Sequence, residues 1–91
     1  MPQTIRSPRQ ELLVQRLIEA RKEAGLTQAE LAARFGRHQP FIANIESGQR
    51  RIDLVELIDL AGVIGLDLHR IIDELGTLPA EPKSKSQITT R

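Results

Sequence analysis

Ninety-one residues leave room for one small domain, and about 65–70 of them carry the apolar patterning needed to order. The chain has no cysteine, which excludes a disulfide framework and a thiolate metal site. Net charge is only +1, yet it is segregated: residues 1–51 hold nine Arg/Lys against five Asp/Glu, and residues 52–76 hold one against six. A basic half and an acidic half suit a molecule that docks one face on phosphates. No secretory leader or apolar run of membrane-spanning length is evident, so a soluble cytoplasmic protein is expected.

Residues 1–7 read as a flexible arm that ends in a cap. Ser7 followed by Pro8 is a helix start, with Gln10 placed for a capping box. The first helix then runs to about Ala24, with Leu13, Leu17, Ala20 and Ala24 inward and Gly25 as its stop. Thr27 and Glu30 form a second capping pair and open a helix over about 28–35, whose apolar face is Leu31, Ala32 and Phe35. Gly36 ends that helix, since a sharp reversal favours a residue that tolerates positive φ. A third helix over about 39–47 carries Ile42 and Ile45 on one side and stops at Gly48. Asp53 and Glu56 cap a fourth, through Val63, with Leu54, Leu57, Ile58, Ala61 and Ile64 expected inward. Gly65 ends it, and Asp67 caps a fifth with Leu68, Ile71, Ile72 and Leu75 as apolar positions. Nothing alternates with period two, so no strand is expected. After Gly76 the chain lacks periodicity, and 77–91 reads as a disordered tail.

The second and third of these helices, joined by a tight turn, have the layout of a helix-turn-helix, whose second helix enters the major groove of DNA. The segment Leu26 to Gly48 resembles the phage-repressor/Cro-like helix-turn-helix family. Leu26, Thr27, Gln28, Leu31, Ala32, Gly36, Ile42, Ile45, Glu46 and Gly48 match its pattern, and the likeness extends from about Arg9 to Leu75. The resemblance implies an all-α, five-helix, lambda-repressor-like DNA-binding domain over residues 8–76.

With Ile42 and Ile45 turned inward, the opposite face of the third helix carries His38, Gln39, Pro40, Ala43, Asn44 and Ser47. Gln39 and Asn44 are the natural base readers, because a carboxamide matches the donor and acceptor on the major-groove edge of adenine. The competing reading is that both amides simply cover a solvated surface. Ala43 is placed to touch a thymine methyl or merely to permit close docking. His38 is a candidate helix cap or phosphate contact and is counted with the base-reading face, and Ser47 is a candidate phosphate contact. Arg37 departs from the family, which usually has a small apolar residue there. A phosphate contact, a guanine contact and a solvated turn all remain open for it.

By resemblance, Gln28 bonds the backbone and so braces the third helix, and it lies where exposed N–H groups suit a phosphate. Arg50 and Arg51 match a phosphate-clamping loop, with Arg34 and Arg16 as weaker candidates. The resemblance also pairs Arg21 with Glu46 as a partly buried, architectural ion pair. Phe41 is expected to pack on the following loop. Surplus apolar residues at Val55, Val63, Leu66, Leu68 and Ile72 suggest a two-fold interface. His38 and His69 alone make a poor metal signature, and no cofactor or catalytic constellation is present.

The expected function is a DNA-binding transcription regulator, a repressor acting as a homodimer on a palindromic operator in double-stranded DNA. Two alternatives stand beside it. One is an antitoxin-like regulator that chiefly holds a partner protein; the other is a protein-interaction adaptor that never touches DNA.

Overall fold

The computed structural model describes residues 7–80, which form five α-helices and no strand among them: α1 Pro8–Glu23, α2 Gln28–Arg34, α3 Gln39–Glu46, α4 Leu54–Ile64 and α5 Leu68–Gly76. The expected arm and tail lie outside the described residues except for Ser7 and 77–80. Ser7 is buried and its side chain accepts from the Gln10 backbone N–H at 3.0 Å. Thr77 caps α5, and the Leu78 carbonyl accepts from Arg9 Nε at 3.1 Å.

Several helix ends have a cause visible in the chain. Thr27 accepts from the Glu30 backbone N–H while the Glu30 carboxylate accepts from the Thr27 N–H, a reciprocal box that satisfies two orphan donors. Asp53 and Glu56 repeat this at α4. At α1 the Ser7 side chain caps the helix start. Gln10 donates through its backbone, but its side-chain Nε2 is buried without a hydrogen-bond partner. At the end of α2, Gly36 has φ +75°, and the next N–H, of Arg37, reaches back to the Ala32 carbonyl at 2.8 Å. This closure turns the chain sharply toward α3. The Gln49 N–H closes α3 on the Asn44 carbonyl in the same way.

Leu13 and Leu17 of α1, Leu31 and Ala32 of α2, Ile42 and Ile45 of α3, Leu60 and Ile64 of α4, and Ile71 of α5 form one core. α2 packs chiefly on α3, and α1 lies against both α3 and α5. Ala32 is fully buried, and its small side chain suits close approach of neighbouring backbone. Arg16 Nε adds an ion pair to Glu74 of α5 at 2.9 Å.

Two parts of the expected core are corrected. Ala24 is exposed at the end of α1 rather than inward. In α4, Leu54 and Ile58 face solvent, at 64% and 53% exposure, whereas Leu60, which the pattern had not singled out, is buried. The reason is that Leu-Val-Glu-Leu-Ile-Asp-Leu-Ala-Gly-Val-Ile is apolar around most of its circumference, so periodicity alone does not choose a face. Ile72 is also exposed, while Val63 and Leu66 pack partly on the core.

Candidate nucleic-acid interface

α3 has one face sealed in the core and the other open to solvent. Ile42 and Ile45 are each 1% exposed, and they fasten it to α1 and α2. Gln39, Pro40, Asn44 and Ser47 are exposed, and Ala43 is half-buried. His38 occupies the N-cap position, but its side chain makes no capping hydrogen bond. Its expected alternative as a cap is therefore corrected. Ser47 closes the helix, with its hydroxyl donating to the Asn44 carbonyl at 3.2 Å.

Beneath α3 lies a buried polar network. Arg21 of α1 meets Glu46 of α3 in a two-pronged ion pair, Nε to Oε2 at 2.7 Å and Nη2 to Oε1 at 3.1 Å. Arg21 also donates through Nη1 to the Leu26 carbonyl at 2.8 Å. Gln28 of α2 donates through Nε2 to Glu46 Oε1 at 2.8 Å, and its own Oε1 accepts from Gln39 Nε2 at 3.2 Å. The relay therefore runs from α1 to Gln39 at the start of α3. Gln28 braces α3 through side chains, rather than through the backbone.

A second cluster surrounds Phe41, in the first turn of α3. Its ring stacks on Phe35 with centroids 5.5 Å apart, and the Arg37 and Arg50 guanidiniums lie over it at 4.4 and 4.6 Å. Glu56 holds Arg50 with two bonds of 3.0 Å and stands 3.6 Å from Arg37. The Arg50 hydrogen bonds hold the Glu56 carboxyl below its ordinary range. Burial opposes them, and the Asp53 N–H and the nearby positive charges assist. The same bonds raise the Arg50 guanidinium. Glu56 was legible in the sequence only as a capping residue; nothing in the spacing linked it to Arg37 or Arg50.

The remaining basic candidates are dispersed. Arg34 is exposed in the last turn of α2, and Arg51 is exposed just before α4. Arg16 is bound to Glu19 and Glu74, at the α1–α5 contact. Among the described residues no three His, Asp or Glu side chains gather as a metal site. No helix among them is long and apolar enough to cross a membrane.

Comparison with known proteins points in one direction. A family model described as Helix-turn-helix matches residues 17–71. An uncharacterized HTH-type transcriptional regulator of Sinorhizobium fredii (strain NBRC 101917 / NGR234) is 33% identical over 59 residues, covering 65% of this chain and 77% of that protein. Another, from Haemophilus influenzae (strain ATCC 51907 / DSM 11121 / KW20 / Rd), is 38% identical over 56 residues, covering 62% of this chain and 57% of that protein. The chain thus spans little more than half the length of the second relative. The solved structure of an XRE-family like protein from Pseudomonas syringae pv. tomato str. DC3000 superposes with a TM-score of 0.69 at 42% identity, covering 76% of this chain and 84% of that one.

Two measurements probe the networks. Glu46→Ala leaves Arg21 charged and buried without its partner, and is expected to lower the unfolding free energy by about 3–5 kcal/mol in denaturant titrations. An unchanged midpoint would show that the pair is not structural. Glu56, with its folded-state pKa lowered, stabilises fully above the ordinary carboxylate value of 4.5 and progressively less as pH falls through the lowered value. Stability should therefore fall less steeply on acidification in Glu56→Gln than in the parent chain, with thermal unfolding scans below pH 5 as the check.

Proposed function

The chain belongs to the helix-turn-helix family of the XRE and phage-repressor/Cro type, and from that premise we propose that it is a transcriptional repressor, binding a roughly palindromic operator as a homodimer through α3 in the major groove. That it is a DNA-binding transcription regulator follows from its family; the rest of the reading is carried by the orientation of α3. Its two isoleucines are sealed in the core, so the carboxamides of Gln39 and Asn44 are presented outward. Gln39 is held by Gln28 through one N–H, leaving its carbonyl oxygen and second N–H for an adenine edge. A readout side chain restrained before binding loses less entropy on docking. Asn44 and Ala43 extend the reading surface, with Arg51, Arg34, His38 and Ser47 as backbone contacts.

Two-fold association is supported by the exposed apolar surface of α4. Leu54, Val55 and Ile58 fall at neighbouring positions on its surface and are all exposed, as is Ile72 of α5. Covering such side chains with a second copy would also augment the thin core of so short a chain. The paired α3 helices then sit about 34 Å apart, one duplex turn, and occupancy of the operator blocks access to a promoter.

Sequences selected from random DNA are expected to form inverted half-sites. Gln39→Ala should relax preference at one or two base positions, each by roughly 1–3 kcal/mol, without a general loss of affinity. Equal weakening at every sequence would remove Gln39 from base reading. Ile58→Asp should leave far-UV circular dichroism intact while sedimentation shifts from dimer to monomer. A monomeric parent chain at high concentration would refute the dimer.

A further inference from the structure

The Phe41 cluster brings two guanidiniums together beside the first turn of α3. Arg37 precedes α3 and Arg50 follows it, yet their guanidiniums converge over one ring in the helix's first turn. The Glu56 side chain is only 13% exposed, whereas those of Arg37 and Arg50 are 47% and 39% exposed. The carboxylate therefore lies beneath and the two cations lie outside. Glu56 is the carboxylate that bonds Arg50 directly, and Asp53, at the α4 cap, adds a negative charge felt by Arg50 through space. Of the five N–H donors on a guanidinium, Arg50 spends three on the Arg51 carbonyl and Glu56.

We propose that Arg37 and Arg50 form a single site for one backbone phosphate of the DNA duplex, with Phe41 and Glu56 as its positioning residues. The proposal rests on the DNA-binding reading above. It moves Arg37 from the bases to the backbone, and it makes two arginines one contact rather than two. A tetrahedral phosphate can accept from two planar forks at once, with charge-assisted bonds. The ring and the carboxylate hold both forks in place before DNA arrives, which spares the rotamer entropy that free arginines lose on binding. Such a contact carries no base preference; it sets the register of α3 along the groove.

The test is a double-mutant cycle, read as binding to a fixed selected duplex and to a scrambled one across a salt series. Arg37→Gln and Arg50→Gln should each weaken both duplexes alike, by about tenfold. The double variant should lose little more than either single one, because the shared phosphate is already lost. Its plot of log affinity against log salt should flatten by about one unit, the value of one phosphate. Arg50→Lys keeps a charge near Glu56 but cannot fork, and should still lose several-fold; it serves if the glutamine variant does not fold. Multiplying losses with a slope change of about two would mean two separate phosphates and overturn the proposal. So would a loss at Arg37 confined to one base position, or full affinity in every variant. A parent chain that binds no duplex would overturn the DNA-binding reading itself, and this site with it.

Discussion

Glu46 is the point through which three helices are held in one arrangement. Its carboxylate takes two bonds from Arg21 of α1 and one from Gln28 of α2, while its own backbone belongs to α3. Burying two opposite charges is costly, and Coulomb attraction offsets that cost only when the remaining donors and acceptors are also served. Here they are: Arg21 hands its other terminal nitrogen to the Leu26 carbonyl, and Gln28 passes the network on to Gln39. The network's contribution is angular. Apolar packing by Ile42 and Ile45 holds α3 against the body, but a greasy contact tolerates sliding that a forked ion pair does not.

The two networks divide the surroundings of α3 between them. The Arg21–Glu46 relay lies under the helix and reaches Gln39 from below; the Phe41 cluster ties its first turn to the loop and to the start of α4. Glu56 thus serves three ends, as reciprocal cap for α4, partner of Arg50 and neighbour of Arg37. Its hydrogen bonds from Arg50 outweigh its own desolvation. Helix initiation and loop placement are coupled through one carboxylate.

Helix positions were legible in the chain because caps and stops are local chemistry. Ser7, Thr27, Asp53 and Asp67 each bond a backbone N–H three residues on, and the spacing alone announces them. Apart from Ala24 at the end of the first helix, the buried faces of α1 to α3 were also plain, since polar residues interrupt the apolar ones there. α4 was not, because Leu54, Leu57, Ile58 and Leu60 are interchangeable to any measure of periodicity. Which of them is buried depends on neighbouring helices that the pattern does not contain. In the site, Gln39 and Asn44 follow from Ile42 and Ile45 by helical geometry. Arg21 and Glu46, 25 residues apart, were suggested only by resemblance. The association of Arg37, Phe41, Arg50 and Glu56 joins a turn, a helix, a loop and a cap, and no sequence rule spans those four.

The tight closures after α2 and α3 carry a mechanical implication. A connection locked by a backbone hydrogen bond from Arg37 to Ala32, or from Gln49 to Asn44, leaves little slack for α3 to tilt independently. With few soft joints on the protein side, any misfit with a target would fall on the more compliant double helix. Sites whose central steps kink or twist cheaply would then be favoured even where no side chain reaches them.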